Sequence, residues 1–190
     1  MKKSNILQML DKANALLEGH FLLSSSLHSG KYLQCALLLR YPNYAKKLCS
    51  ELAAKFKNKK IGLVIGPAYG GIIVAHELAR ALGVPAIFTE RKDNIMQLRR
   101  GFNIKKGERV LVAEDVVTTG KSVKELIKTI SPYKPNIVGI AALIDRSAKS
   151  PFGKIPFNGL MKIKIKTYNS KNCPLCKCKI PLIKPGSRKI

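Results

Sequence analysis

The sequence is short of acids, of aromatics and of cysteine, and it has no long apolar run. Asp and Glu number 11 against 35 Lys and Arg, which leaves a formal net charge of +24 over 190 residues. A basic excess of this size raises nucleic-acid binding as a role. The aromatic content of 6% argues against it, because single strands are held by stacking on aromatic platforms. The lysines are also spread along the chain rather than gathered in one arm. Nucleic acid is therefore not the expected partner, and the basic surface suits a small polyanionic substrate instead. No apolar run approaches the roughly 18 residues of a membrane helix, so no membrane association is expected. Met1-Lys2-Lys3 has the basic start of an export signal, but Gln8, Asp11, Lys12 and Asn14 soon break the apolar stretch that follows. A cytoplasmic protein is expected.

Five cysteines are too few for a disulfide scaffold in a chain of this length. Cys35 and Cys49 lie in apolar or helical surroundings and read as core thiols. Cys173-Pro174-Leu175-Cys176 has the spacing of a metal-ligand pair, with Cys178 close behind. A second such pair and a neighbouring His are both missing from this stretch. A tetrahedral site is not completed locally, and the three thiols read as reduced groups in a tight turn.

What is present is a folded chain, 46% apolar, long enough for one full core. Its centre is the stretch from Arg109 to Ser122. Residues 110–113 are a short β-branched apolar run, the mark of a buried parallel strand. Two adjacent carboxylates, Glu114 and Asp115, follow, then Val116, Val117, Thr118, Thr119, Gly120, Lys121 and Ser122, and then a helical pattern from Val123 to about Ile130. In open α/β sheets ligands bind beyond the carboxyl ends of the strands. A Thr/Gly/Ser loop opening a helix offers backbone N–H groups and hydroxyls to a phosphate. The acids would repel a bare phosphate. They fit a ligand that also carries hydroxyls, or a hard divalent cation, and a ribose phosphate with Mg²⁺ meets both conditions. The duller reading is a strand end and a helix cap, for which one acid suffices. The Gly-x4-Gly-Lys spacing of a Walker loop is absent.

Other segments order themselves around this unit. Apolar spacing predicts a helix over residues 4–18, with Ser4 as N-cap and Gly19 as stop. Residues 20–36 read as two short strands around a Ser-rich turn, from Ser24 to Gly30. Pro42 opens a helix to about Phe56. Residues 61–65 form a strand that runs into Gly66-Pro67-Ala68-Tyr69-Gly70-Gly71 and a helix ending near Leu82-Gly83, a second strand–loop–helix unit with a possible anion cradle. Residues 85–89 are the next strand. Residues 90–101 read as a hairpin or mobile loop whose Arg91, Lys92, Arg99 and Arg100 either are solvated or close over a polyphosphate. Residues 136–144 are a strand ending in Asp145-Arg146-Ser147, residues 151–159 a connector, and residues 160–167 an alternating edge strand. The expected architecture is α/β: a central, mostly parallel sheet flanked by helices. It is a single domain with a core at about 41–159, and a small cap from about 1–40 and 160–190.

The central stretch resembles the phosphoribosyl-pyrophosphate (PRPP) motif of type I phosphoribosyltransferases. Leu23-Ser-Ser-Ser-Leu-His-Ser-Gly-Lys-Tyr32, Gly66–Gly71, Leu98-Arg-Arg-Gly-Phe102, Asp145-Arg146 and Pro185-Gly-Ser-Arg188 extend the likeness to the orotate branch, over nearly the whole chain. The resemblance implies transfer of phosphoribose from PRPP to orotate in de novo pyrimidine synthesis, giving orotidine 5′-monophosphate and pyrophosphate. It implies Mg²⁺ as cofactor and a homodimer in which a loop of one subunit reaches the other's site. It also implies roles. Glu114 and Asp115 hold the ribose hydroxyls, Thr118 to Ser122 cradle the 5′-phosphate, Thr118 and Arg146 contact orotate, and Gly66 to Gly71 border the pyrophosphate. Arg91 and Lys92 start the catalytic loop. The chain departs from the better-known branch in three places: Asn94-Ile-Met-Gln97 replaces a segment with Lys and His, Gly70 replaces a lysine, and Ser24-Ser25-Ser26 replaces a segment with Lys. Arg99 or Arg100 then becomes the candidate cation for the leaving group. No residue is assigned as a direct metal ligand. The rivals are transfer to another base, and a PRPP-sensing regulator that binds nucleic acid.

Overall fold

The computed structural model describes residues 3–23 and 25–185. Ser24, and the Gly186, Ser187 and Arg188 of the tail motif, lie outside the described residues.

The centre is a six-stranded sheet of β3 (Leu63–Pro67), β4 (Ala86–Lys92), β5 (Ile95–Leu98), β6 (Arg109–Val117), β7 (Asn136–Asp145) and β8 (Phe157–Lys162), in the order β5-β4-β3-β6-β7-β8. All neighbours run parallel except β4 and β5. The near-continuous apolar runs of β3, β6 and β7 are explained by burial on both faces. Val64, Leu111, Ala113, Ala141 and Leu143 face a core with α1 (Lys3–Lys12), α2 (Cys35–Leu39), α3 (Pro42–Ala54) and α4 (Gly70–Leu82). Ile65, Val110, Val112, Ile140 and Ala142 face a second core with α5 (Lys121–Ile130). The switch of face at every residue is the pleat of the strand. Helix α5 needs only Val123, Leu126 and Ile130 for its contact, three positions on one stripe.

A second sheet stands apart, with the order β1-β2-β9: β1 (Leu16–Leu22), β2 (His28–Leu33) and β9 (Thr167–Tyr168). It joins the two ends of the chain. The segment after α6 (Pro174–Lys177) returns along β1, where Leu22 N–H donates to Ile183 O and Ile183 N–H to His20 O, each at 2.8 Å.

Three expectations change, and one pair of alternatives is decided. The first helix stops at Lys12 rather than Gly19. Asn14 turns the chain at φ 49°, Ala13 and Ala15 are fully buried, and Leu16 and Leu17 pair with Leu33 and Tyr32. The helical spacing of those leucines is overridden by strand pairing. Glu114 and Asp115 lie inside β6, not after it, because the ladder to β7 continues to Val117 and Asp145. The last strand of the large sheet is β8, starting at Phe157, and Thr167 belongs to the other sheet. Residues 90–101 form a hairpin: β4 and β5 pair from Thr89–Leu98 to Lys92–Ile95. Its two-residue turn, Asp93-Asn94, has φ of 52° and 63°, the left-handed pair that a tight hairpin demands.

Candidate active site

The two loops expected to hold phosphates lie beyond the carboxyl ends of adjacent strands β3 and β6. They meet without room for a side chain. A Cβ on Gly70 would stand 2.2 Å from Asp115 Oδ2, and one on Gly71 would stand 2.9 Å from Glu114 Oε2. A Cβ on Gly66 would lie 2.2 Å from the carbonyl oxygen of Gly71. In this arrangement the Asp115 carboxylate occupies the space that a lysine side chain at position 70 would need. The loop also contains a cis peptide between Ala68 and Tyr69, and presents Tyr69 to solvent.

Glu114 is buried, and Asp115 is half-buried with its Oδ1 accepting from Val116 N–H at 2.7 Å. Burial pushes the Asp115 carboxyl above its ordinary range, against the smaller opposing effect of that hydrogen bond. A carboxylate left in such a place gains from a hydroxyl donor or a cation. Thr118 and Thr119 are exposed beyond the strand, and Gly120, at φ 72°, turns the chain into α5. As the N-cap residue, Gly120 brings no side chain of its own to that helix end.

Arg146 sits next to this loop, its main-chain N–H donating to Val117 O at 2.8 Å. The turn that carries it is held by Asp145, whose Oδ1 accepts from Ser147 N–H at 2.8 Å and Ser147 Oγ at 2.6 Å. Lys162 approaches the other carboxylate oxygen at 3.3 Å. Arg146 Nε is buried without a hydrogen-bond partner among the described residues, and desolvation pushes the guanidinium pKa down. A buried donor of this kind is built for an acceptor that arrives with a ligand. Tyr32 of β2 belongs to the same environment. Burial raises its phenol pKa, Asp115 raises it further and Arg146 opposes. The sequence carries Tyr32 and Ser147 inside quoted segments, but nothing in their local pattern gives either a role; their neighbours in space do.

The hairpin cations are engaged elsewhere. Arg91 holds Glu125 of α5 through two guanidinium nitrogens, and donates to Asn94 O at 2.8 Å. Arg100 grips both carboxylate oxygens of Glu90 at 2.7 and 3.0 Å, and Arg99 adds a contact at 3.3 Å. Lys92 is exposed at the end of β4. Only Arg91 is thus tied to the helix that follows the Thr118–Ser122 loop.

The cysteine reading changes too. The folded tail brings Cys173 and Cys176 to His20 and His28, residues some 150 positions earlier, and the ligand atoms of all four lie within 4.8 Å of one another. Local spacing held no trace of these histidines.

The family model described as phosphoribosyl transferase domain matches residues 39–169. Over the full length of both chains, the sequence is 54% identical to an orotate phosphoribosyltransferase of Caldanaerobacter subterraneus subsp. tengcongensis. It is 51% identical, again over all of both chains, to one of Caldicellulosiruptor bescii. Among solved structures, the orotate phosphoribosyltransferase of Aeropyrum pernix matches with a TM-score of 0.71 and 25% identity, covering 83% of this chain and 93% of that one. The Leishmania donovani UMP synthase has the same fold, with a TM-score of 0.74 and 22% identity over 86% of this chain and 37% of that longer one.

Proposed function

This chain belongs to the orotate phosphoribosyltransferases, and on that footing we propose which of its residues carry the reaction. The enzyme transfers phosphoribose from PRPP to orotate, giving orotidine 5′-monophosphate and pyrophosphate, a step of pyrimidine synthesis. The observation that carries the assignment of residues is the contact of Glu114 and Asp115 with Gly71 and Gly70, which joins two anion-binding loops around one acidic pair.

Asp115 and Glu114 accept the ribose hydroxyls. The N–H groups and hydroxyls of Thr118 to Ser122 take the 5′-phosphate, and residues 66–71 border the pyrophosphate. Arg146 offers its unpartnered Nε to an oxygen of orotate, with Thr118 beside it. A ring nitrogen of orotate then forms a bond to the anomeric carbon as the carbon–oxygen bond to pyrophosphate breaks, and the pyrophosphate departs with the electron pair. Positive character develops on the sugar, and the acids are placed to stabilise it. No covalent nucleophile is needed, and holding both substrates in line supplies much of the rate.

Adjacent carboxylates with a desolvated Asp115 are hard oxygen donors that suit Mg²⁺ arriving with the substrate. When bound, the ion neutralises charge on the departing pyrophosphate. Arg91, Lys92, Arg99 and Arg100 are the chain's own cations for that charge. The ion pairs of the three arginines with Glu125 and Glu90 lie at the surface and can be exchanged for phosphate oxygens.

We further assign the chain as a homodimer in which the β4–β5 hairpin, with Ile95 63% exposed, reaches the partner's site. We assign it to the cytoplasm, where its soluble charged substrates are. The β1-β2-β9 sheet and the tail form a cap, a reading supported by the electrostatic reach of Tyr32 to Asp115 and Arg146. The test is orotate consumption followed by ultraviolet absorbance. Turnover that requires orotate, PRPP and Mg²⁺ together is expected. Saturable PRPP binding without turnover would overturn the choice of base.

A further inference from the structure

The second titratable cluster of the molecule has no part in this chemistry. His20 of β1 and His28 of β2 lie on one face of the hairpin. Phe21 pairs with Ser29 and Leu22 with His28, so His20 is one pleat from His28, displaced by the bulge between Glu18 and Phe21. Helix α6 and the residue before it add Cys176 and Cys173. His20, His28 and Cys173 are 1%, 6% and 1% exposed. His20 Nε2 stands 2.8 Å from His28 Nδ1, 3.6 Å from Cys173 Sγ and 3.7 Å from Cys176 Sγ, and Cys176 Sγ stands 3.3 Å from His28 Nδ1.

We propose that His20 Nε2, His28 Nδ1, Cys173 Sγ and Cys176 Sγ form a structural zinc site that fastens the C-terminal tail to the N-terminal hairpin. Zn–N near 2.05 Å and Zn–S near 2.3 Å, at tetrahedral angles, place N and S ligands about 3.6 Å apart and two N ligands about 3.3 Å apart. Three N···S separations, at 3.6, 3.7 and 3.3 Å, lie within about 0.3 Å of this spacing, and the N···N distance of 2.8 Å needs to open by about half an ångström. The tautomer is set by the surroundings. His20 Nδ1 lies 2.8 Å from Ile180 O, which can only accept, so Nδ1 carries the proton and Nε2 turns its lone pair to the cluster. An imidazole oriented by a backbone carbonyl is the usual support of a metal-bound His. Two sulfurs and two nitrogens in a tetrahedral arrangement select zinc among the common divalent ions. Four protein ligands leave no open position, so the ion holds structure and does not take part in turnover. Ligation joins residues 20 and 28 to residues 173 and 176, and so closes a loop of most of the chain.

The test uses the full chain, purified without metal-affinity steps and analysed for zinc by mass spectrometry. One zinc per chain is expected. Cys176→Ser, at an exposed position chosen because it leaves the buried packing in place, is expected to fall below a tenth of that content. Cys178→Ser, outside the cluster, is expected to keep it. Cobalt added to the stripped protein should give the intense visible bands of a tetrahedral thiolate site, and Cys176→Ser should abolish them. Stripping the zinc should lower the melting temperature and expose the tail to protease. Purified protein without zinc, taking up neither zinc nor cobalt and with a melting temperature indifferent to chelator, would overturn the proposal. So would a disulfide between Cys173 and Cys176 in the freshly isolated protein.

Discussion

The crest of the large sheet and the small β1-β2-β9 sheet hold their functional groups by opposite means. At the crest, Gly66, Gly70 and Gly71 are packed so closely on the chain and on Glu114 and Asp115 that no Cβ fits. Position there is set by close packing of a large apolar core on both faces. The small sheet has a strand of only two residues, β9, and beside the apolar Phe21 and Leu33 it buries three polar residues: His20, His28 and Ser29. Ser29 Oγ lies 2.9 Å from Lys31 O and 3.0 Å from Lys166 O, and can donate to either. So little apolar area cannot fix geometry alone, and directional bonds take over. The lesson is that crest groups should fail through chemistry or overpacking, whereas small-sheet groups should fail through loss of a partner.

The hardest blow to the crest is Asp115→Asn. It removes a charge where positive character develops, and turnover should fall by about 10²- to 10³-fold. Stability should not fall with it. Burial raises the Asp115 pKa above its ordinary 3.8, so the native state binds this proton more tightly than the unfolded chain does. The contribution is fully present below 3.8 and is lost as pH rises through the folded value. Melting temperatures measured against pH should therefore decline over that window in the wild type and show a flatter profile in the variant. Unchanged turnover would remove Asp115 from the site, and a variant that melts far below wild type would make its role structural.

Next in size is Arg146→Gln. Its Nε has no hydrogen-bond partner among the described residues, so its energy should appear with orotate bound. A charged hydrogen bond contributes about 1.5–3 kcal/mol, which predicts a KM for orotate raised about ten- to a hundredfold. The KM for PRPP should stay within about twofold. Equal changes in both would mean that Arg146 acts by shaping the loop it shares with Val117.

This asymmetry also governs what could be read from the sequence. The crest was legible because local pattern and tertiary structure agree there. The apolar run of β6, the acid pair and the Thr-Thr-Gly turn are contiguous, and the strand–loop–helix order follows from neighbours along the chain. The hairpin of β4 and β5 is only half legible, because Asp93-Asn94 fits a mobile loop as well as the left-handed turn it forms. The small sheet was less legible. Leu16 and Leu17 kept helical spacing with α1 but went to strand pairing with Leu33 and Tyr32. Cys173 and Cys176 find their histidines across a separation that no local spacing reports.

A paired glycine substitution sharpens the contrast at lower cost to function. Gly66→Ala puts a methyl 2.2 Å from a backbone oxygen, which cannot swing aside, and should cost about 1–3 kcal/mol in chemical denaturation. Gly30→Ala, in the middle of β2, meets only Leu175 Cδ1 at 3.7 Å and Gly19 O at 3.9 Å. There the gain in strand propensity should stabilise by up to about 0.5–1 kcal/mol. Equal losses at both positions would mean that the two sheets are equally tightly packed.

The smallest effect should come from Glu18→Gln, on the outer surface of the small sheet. Glu18 meets Lys31 across the β1–β2 pair at 2.7 Å, and the hydrogen bond from Lys31 lowers its carboxyl pKa. The sign is opposite to that of Asp115: any contribution is present above the ordinary 4.5 and lost as pH falls through the folded value. Both side chains are more than half exposed, at 52% and 73%, so water and salt screen the attraction and ordering two long chains offsets it. The melting temperature at physiological ionic strength should match wild type, with a difference emerging only at low salt. The pair is as short as any ordinary ion pair, yet the buried His20, held by Ile180 O and His28, should matter more. If Glu18→Gln instead destabilised as much as Gly66→Ala, surface charge rather than buried directional bonding would be what holds the small sheet.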